Sequence, residues 1–150
     1  MELSRSAQFA IRTVLDLAVG GPTHTADIAA RRGIPPAQAG KIVQQLVRGN
    51  IVRSMRGANG GIRLAQAPER ITLKDIIGAI EGPMAVSRCI VYDDCPCAQP
   101  CAVRAALNRI QRELERLLDG VTVADLAADD RRFRHLTGAV PAPQHQPQGG

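Results

Sequence analysis

The four cysteines of this 150-residue sequence lie within thirteen residues, as Cys89, Cys95, Cys97 and Cys101. Three of them follow a C-x5-C-x5-C spacing, and Cys97 is additional. Structural zinc sites typically pair cysteines as C-x2-C or C-x4-C, and thioredoxin-type redox sites use C-x-x-C; none of these patterns occurs here. Thiolates in longer loops are typical of iron-sulfur clusters. The spacing alone leaves three interpretations open: a cluster, a zinc site and a thiol-disulfide switch.

Composition narrows the class of protein. No basic run followed by a long apolar one opens the sequence, and no apolar stretch approaches the roughly 20 residues that span a bilayer. We therefore expect a cytoplasmic protein without a membrane segment, and in the cytoplasm clustered thiols favour metal or redox chemistry over disulfides. With three His, no Ser-His-Asp or paired-carboxylate pattern and no Gly-Lys-Ser/Thr phosphate loop, the sequence does not predict an enzyme.

The positive charge is concentrated in the first half of the chain. Residues 1–76 contain eleven Lys and Arg against five Asp and Glu, which gives +6. Residues 77–150 contain eight against nine, which gives −1. An excess of positive charge on one part of a protein favours contact with a polyanion such as nucleic acid. We therefore place the predicted DNA contacts in the first half.

Apolar periodicity predicts three helices in the first half of the chain. They cover 3–19, 26–32 and 35–48, and Ser4 is a suitable residue to cap the first. Gly33 separates the second helix from the third and suits the left-handed conformation that ends a helix. A short helix, a glycine-containing turn and another helix form a helix-turn-helix candidate.

A predicted β-hairpin follows this motif, with strands at 51–55 and 61–65 around a glycine-rich turn. A hairpin at this point is the layout of a winged helix-turn-helix. Gln can pair with adenine and Lys with guanine, whereas Gly40 offers no side chain for base contacts. The candidate DNA-binding residues are the amides and cations of the third helix and the hairpin: Gln38, Lys41, Gln44, Arg53, Arg56, Asn59 and Arg63.

The second half of the sequence predicts further helices at 72–81 and 102–118, and a helical turn or two at 122–127. The 102–118 helix carries a long apolar stripe, which is either the central core or a dimer seam. We expect the seam, because helix-turn-helix proteins usually bind DNA as two-fold dimers. The composition of 128–150 predicts a tail that is disordered at least from 139.

Several runs, in this order, resemble the Rrf2 family of bacterial transcription regulators over about residues 1–127. They are Ser54 to Ala65, Ile71 to Ile77, Glu81-Gly82-Pro83 and the cysteine triplet, with Met1 to Ser4 and Val121 to Leu126 also similar. The resemblance implies a dimeric regulator with a [2Fe-2S] or [4Fe-4S] cluster on Cys89, Cys95 and Cys101. The 95–101 and 41–46 segments are most similar to the nitric-oxide-sensing repressors, with the cluster-assembly and iron-responsive branches as close rivals.

The fourth cluster ligand departs from the family pattern. In the nitric-oxide-sensing branch, the resemblance implies a carboxylate ligand from the first helix, and the matching residue of this sequence is Gln8. In the cluster-assembly branch it implies a histidine, and the matching residue of this sequence is Arg104. An amide is a poor iron ligand and a guanidinium is none. Candidates for the fourth position are Cys97, Gln8, Glu2 and an exogenous small molecule. Cys97 ranks first because a thiolate is the softest donor among them.

The sequence therefore predicts a mainly α fold: a winged helix-turn-helix with a small β-hairpin wing, followed by a long C-terminal dimerisation helix. The expected divisions are a DNA-binding domain at 1–83, a cysteine loop at 84–101, dimerisation and short helices at 102–127, and the tail. The expected function is a homodimeric repressor on a double-stranded DNA operator, controlled by its cluster in response to nitric oxide or redox stress. Alternatives are a regulator of iron or cluster status, a thiol or zinc switch, and a redox carrier.

Overall fold

The computed structural model describes residues 2–57, 60–92 and 100–137. Its helices and strands follow one another as α1 (Arg5–Gly20), α2 (Thr25–Arg32), α3 (Pro36–Arg48), β1 (Val52–Met55), β2 (Gly61–Leu64), α4 (Leu73–Glu81), α5 (Arg88–Val91), α6 (Ala102–Asp119) and α7 (Val123–Thr137), with a single 3-10 turn, Pro68–Arg70, before α4. The predicted mainly α fold with one β-hairpin is confirmed. Among these residues, no helix is both long and apolar enough to cross a membrane.

Helices α2 and α3 form the predicted helix-turn-helix, and α1 packs against both of them. The Ser4 side chain accepts a hydrogen bond from the backbone N–H of Ala7 and caps α1, as predicted. Gly33 ends α2 with φ of 62°, the left-handed conformation that glycine adopts without steric cost. Arg32 at the end of α2 donates two hydrogen bonds to Asp16 of α1, and this pairing raises the pKa of Arg32. The angle between α1 and α2 is therefore fixed by an ion pair as well as by the core.

The hairpin is attached to the helical body by an additional β-bridge. Strands β1 and β2 pair antiparallel, with Val52 opposite Leu64. Thr23, in the turn between α1 and α2, exchanges two backbone hydrogen bonds with Ile62 of β2, at 3.1 and 2.8 Å. Gly61 has φ of 128°, and a Cβ at this position would lie 2.6 Å from the Thr23 carbonyl oxygen. Only glycine allows this close approach, which fixes the wing against the helices.

The core is aliphatic, as expected for a chain with two Phe, one Tyr and no Trp. Side chains from α1 to α4, both strands and the start of α7 meet in one cluster. Its buried members are Ala10, Val14, Leu17, Ile28, Ile42, Leu46, Ile51, Val52, Ile62, Ile71, Ile76 and Val123. Because α3 contributes Ile42 and Leu46 to this cluster, its opposite face is directed outward.

Two helices begin side by side with the same capping arrangement. Thr72 precedes α4 and Thr122 precedes α7, and the two threonines form an isolated antiparallel bridge. In each case the threonine side chain accepts from the backbone N–H of an aspartate three residues on, Asp75 or Asp125, which accepts in return from the threonine N–H. The pKa of Asp125 is lowered mainly by the hydrogen bond that its carboxylate accepts from the Thr122 backbone N–H, and further by the one from the Thr122 hydroxyl.

The second half of the chain is more helical than the periodicity predicts. The first part of the expected cysteine loop contains the four-residue helix α5. The last helix continues to Thr137 instead of ending near residue 127. An ion pair between Asp130 and Arg134, one turn apart and 2.6 Å between charged atoms, supports this extension. The apolar pattern of α7 is weak, since Phe133 and Leu136 are exposed, and periodicity alone therefore did not reveal its length.

Candidate DNA-binding surface and cysteine segment

The outward face of α3 carries two of the predicted DNA-binding side chains. Ala39, Ile42 and Leu46 are buried and fix the rotation of the helix. Lys41 and Gln44 lie on the opposite side and are exposed. Arg48, near the end of the same face, is also exposed and was not among the predicted residues. Its spacing, one turn after Gln44 and two turns after Lys41, is the sequence signal that would have identified it.

Gln38 differs from the other predicted residues of α3. It is half-buried, and its Nε2 donates to the Ser6 hydroxyl of α1 at 3.3 Å. This contact ties the first turn of α3 to α1 and leaves the Gln38 carbonyl oxygen for an outside donor. Gly40 lies on the next turn, and a Cβ there would meet nothing within 4 Å. Packing in the described part of the chain therefore does not require glycine at this position.

The wing places its arginines together. Arg53 and Arg63 are directly opposite each other in the register of β1 and β2, and both are exposed, as is Arg56 at the turn. The Arg53 guanidinium donates to the Ala65 carbonyl at 2.9 Å. Like charges at opposite positions of an antiparallel pair destabilise the hairpin. A surface that retains this repulsion is suited to an anionic partner, which would neutralise both groups. Asn59, the remaining predicted wing residue, lies outside the described residues.

The surface formed by α3 and the wing is cationic without internal compensation. Its exposed cations are Lys41, Arg48, Arg53, Arg56 and Arg63. The salt bridges found among the described residues lie elsewhere, on α1, α2, α4, α6 and α7, and none includes these five side chains. Unpaired cations beside exposed amides are the combination that binds phosphates and base edges. We refer to this region, α3 and the hairpin, as the basic surface.

The two described cysteines lie on or next to helices that pack against each other. Cys89 is on α5, is half-buried, and has its Sγ 3.2 Å from the Ser87 hydroxyl. Cys101 precedes α6, is also half-buried, and its Sγ accepts from the backbone N–H of Arg104 at 3.4 Å. Helix α5 contacts α6. Cys95 and Cys97 lie outside the described residues, so the structure does not place the predicted set of cysteines as a whole.

The other proposed ligands are near the amino terminus. Gln8 is half-buried in α1, and its Nε2 donates to the Leu3 carbonyl at 3.0 Å. Glu2 is exposed. Within residues 2–57, 60–92 and 100–137, no three His, Cys, Asp or Glu side chains are grouped closely enough to hold a metal ion. The metal-ligand assignments therefore remain predictions.

Helix α6 presents an apolar stripe that the described part of the chain does not cover. Val103, Ile110 and Leu117 recur every seven residues and are 66%, 54% and 65% exposed. Apolar side chains at heptad spacing form the contact seam between paired helices. The single buried side chain of α6 is Gln111, which is polar. The stripe of Val103, Ile110 and Leu117 is therefore directed outward, away from Gln111.

Comparison with known families identifies the chain. A sequence model of Rrf2, described as an iron-dependent transcriptional regulator, matches residues 3–129. The chain belongs to the Rrf2 family. It is therefore a DNA-binding transcriptional regulator and not an enzyme.

Individual Rrf2 relatives match over almost their whole length. A putative helix-turn-helix regulator of Mycobacterium tuberculosis is 34% identical over 91% of this chain and 94% of its own. The regulator NsrR of Geobacillus kaustophilus is 31% identical over 91% of this chain and 96% of its own. Among solved structures, CymR, the global cysteine regulator of B. subtilis, is 30% identical with a TM-score of 0.72, over 85% of this chain and 97% of its own. The expected winged-helix fold of the Rrf2 family is confirmed.

Proposed function

We propose that this Rrf2 protein is a homodimeric repressor whose operator affinity is controlled by an iron-sulfur cluster, [2Fe-2S] or [4Fe-4S], that senses nitric oxide or redox stress. Cys89, Cys95 and Cys101 would hold the cluster. The observation that carries the proposal is the position of Cys89 on α5 and of Cys101 at the start of α6, because the two helices pack against each other and α6 also contacts α4 of the DNA-binding domain. Because the operator is chromosomal DNA, we propose that the protein acts in the cytoplasm.

The described cysteines fit such a group in their chemistry. Both sulfurs are half-buried, so that they are accessible to iron and shielded from bulk solvent on one side. Each also has a hydrogen-bond donor close to it, the Ser87 hydroxyl or the Arg104 N–H. Hydrogen bonds to ligand sulfurs are one means by which a protein adjusts the reduction potential of a cluster. When bound, the cluster would supply iron and sulfide that react with nitric oxide or oxidants.

The basic surface would bind the operator. Helix α3 would enter the major groove, with Lys41 and Gln44 at base edges, and the wing arginines would contact the neighbouring backbone. The side-chain oxygen of Gln38, Oε1, would accept a hydrogen bond from the DNA. Phosphate contacts supply affinity that falls with salt, and base contacts supply sequence preference. Asn59, which follows Arg56 in the glycine-rich sequence between the strands, is proposed as a further DNA contact.

The exposed stripe of α6 would form the dimer seam. Val103, Ile110 and Leu117 would pack against the same residues of a second copy, since a two-fold interface uses one patch twice. Pairing along α6 would fix the distance between the two α3 helices, which must match half-sites about one turn of DNA apart. Cys101 lies one residue before α6, so a change at the cysteines would act on the seam helix directly.

Two further candidates keep the same DNA-binding frame. The cluster could report iron or cluster status instead of nitric oxide, which agrees with the iron-dependent description of the family. The cysteines could also act as a thiol switch without iron, and the likeness to the cysteine regulator CymR favours this second candidate. A zinc switch has no comparable support, because the cysteines follow neither the C-x2-C nor the C-x4-C pattern. A redox carrier has none either, because a carrier does not need the basic surface.

Iron and sulfide counts on purified variants test the ligand assignment. Cys89→Ala, Cys95→Ala and Cys101→Ala should each lose the cluster without unfolding, because two or three remaining thiolates hold it too weakly. Tyr92→Phe is the matched control, since it changes the same segment without removing a sulfur. Comparing Cys97→Ala with Gln8→Ala would identify the fourth ligand. A full complement of iron and sulfide in any of the first three variants would refute the assignment.

Sedimentation of Ile110→Lys tests the seam. A charge at the centre of the stripe should convert the dimer to a monomer, because an unpaired buried ammonium is costly. Arg112→Gln, on an exposed position of the same helix, should leave the dimer intact. A dimeric Ile110→Lys protein would place the interface elsewhere.

A further inference from the structure

Gln111 is a buried amide in a helix face that the sequence otherwise fills with leucines. It is 5% exposed, and its neighbours along the inner face of α6 are Leu107, Leu114 and Leu118. A polar side chain at such a position is kept buried only when its hydrogen bonds are satisfied. The interruption of an apolar stripe by an amide is visible in the sequence, and it is the signal that sequence reasoning missed.

The Gln111 amide uses both of its polar atoms on the segment that leads to Cys89. Its Oε1 accepts from the backbone N–H of Val86 at 2.9 Å, and its Nε2 donates to the Met84 carbonyl at 2.7 Å. This pairing imitates a rung of a β-ladder and needs a donor and an acceptor at fixed separation. Only an amide of this length supplies both; a carboxylate lacks the donor and an apolar side chain lacks both.

The same amide connects the segment to the DNA-binding domain. Gln111 Nε2 also donates to Glu115 Oε1 at 2.6 Å, and Glu115 Oε2 lies 3.7 Å from the Lys74 ammonium of α4. At the other end of α4, the Ile80 carbonyl accepts from Gln45 Nε2 of α3 at 3.2 Å. Polar contacts thus run from the backbone before Cys89, through α6 and α4, to the helix that carries Lys41 and Gln44.

The contacts of Gln111 lie beside an open cleft. The cleft has a volume of about 560 Å³ and lies between α4, α6 and the segment that joins α4 to α5, and Lys74, Met84 and Glu115 are among its lining residues. Side chains do not fill this space, so the polar contacts of Gln111 and Glu115 connect the segment, α6 and α4 along its edge.

From these contacts we propose that Gln111 is the positioning residue that fixes Cys89 relative to α6 and transmits the state of the cysteine segment to α4 and α3. The inference rests on the proposed function for its regulatory half. Its structural half, that Gln111 holds Cys89 in place, is independent of any cluster.

The first test measures how well Cys89 is held. The rate of Cys89 alkylation by iodoacetamide, followed by mass spectrometry, is compared between reduced cluster-free wild type and Gln111→Met. The variant keeps an unbranched side chain of similar length and loses both hydrogen bonds to the segment, together with the one to Glu115. We expect alkylation about tenfold faster, the factor for losing one or two net hydrogen bonds, with amide exchange of Val86 accelerated as well. Arg112→Gln, the adjacent exposed position, should match wild type. Unchanged rates in Gln111→Met would overturn the structural half.

The second test measures coupling to DNA. The affinity for a duplex selected from a randomised pool is measured for loaded and cluster-free protein, and the ratio of the two is the coupling. We expect a wild-type ratio of roughly tenfold or more, within the usual range for coupled sites, and a ratio within about twofold of unity for Gln111→Met that still carries full iron and sulfide. A fully loaded Gln111→Met with the wild-type ratio would overturn the inference alone.

The two failures are distinguishable. A ratio of one in the wild-type protein would mean that the cluster does not control operator binding. That result would refute both the proposed function and the transmission from Gln111 to α4 and α3. The alkylation rate would still decide whether Gln111 holds Cys89 in place. Glu115→Gln separates the contact between Gln111 and residue 115 from the contact between residue 115 and Lys74. The glutamine can still accept a hydrogen bond from Gln111 and should keep Cys89 protected, but it lacks the negative charge that attracts Lys74. A coupling ratio that falls in Glu115→Gln with unchanged alkylation supports transmission through α4, and an unchanged ratio overturns that route.

Discussion

The opposed arginines of the wing make a prediction in which DNA affinity and stability change in opposite directions. Arg53 and Arg63 face each other across β1 and β2, and both are exposed. Replacing Arg63 with Gln removes a like-charge pair worth about 0.2 to 1 kcal/mol of destabilisation. The free energy of unfolding, measured by urea denaturation, should therefore increase by that amount.

The same substitution should weaken operator binding. Each phosphate contact contributes about 0.9 to the slope of log affinity against log salt. A dimer would lose one contact from each wing, so the slope should fall by about 1.8, and affinity at low salt should fall for all duplex sequences alike. Fluorescence anisotropy across a salt series measures both quantities.

Arg131→Gln provides the matched control for this prediction. It removes the same charge from an exposed position of α7, remote in sequence from the basic surface. It should leave the salt slope unchanged. If Arg63→Gln had the same salt slope and the same DNA affinity as wild type, this would refute a contact between the wing and the DNA phosphates. A loss of stability would refute the argument from like-charge repulsion.

Three further predictions concern backbone conformation and capping. Gly61→Ala should lower the free energy of unfolding in urea by about 1–3 kcal/mol, because φ is positive and its Cβ would contact the Thr23 carbonyl oxygen; normal stability would contradict the close approach. Gly40→Ala should instead raise it by about 0.5–1 kcal/mol, since the new Cβ meets no neighbour; a destabilised variant would contradict the open space. At pH values above about 4, the Asp125→Asn protein should have a lower thermal midpoint than wild type. In acid, the two midpoints should be the same. The pKa of Asp125 is depressed in the folded state by its hydrogen bonds to Thr122, so its contribution is lost as pH falls through that pKa. A pH-independent difference would contradict this origin.

The first half of the fold could be predicted because local signals and burial agree there. Ser4 and Gly33 mark helix ends that the structure confirms, and the helix capped by Thr72 begins as expected. In α3, Ile42 and Leu46 are buried as the apolar periodicity predicts and Lys41 and Gln44 are exposed, whereas the apolar Val47 is 39% exposed. Each of these features depends on residues within one or two turns of one another.

Features that depend on distant residues could not be predicted in the same way. The opposition of Arg53 and Arg63 follows from the hairpin register, and the engagement of Gln38 follows from the position of Ser6 on another helix. Helix α5 has only four residues in a segment without periodicity, so no pattern marks it. The role of Gln111 depends on the backbone of residues 84–86, which lie 25 or more residues earlier in the chain.

The measurement that tests the central claim most directly is the operator affinity of loaded dimer before and after stoichiometric nitric oxide. Anaerobically reconstituted protein is titrated with a selected duplex, and iron, sulfide and visible absorption are recorded on the same sample. We predict that nitric oxide bleaches the visible absorption and lowers affinity by roughly tenfold or more. Equal affinity in loaded, treated and cluster-free protein would contradict the account, as would a protein that remains colourless after reconstitution with iron and sulfide.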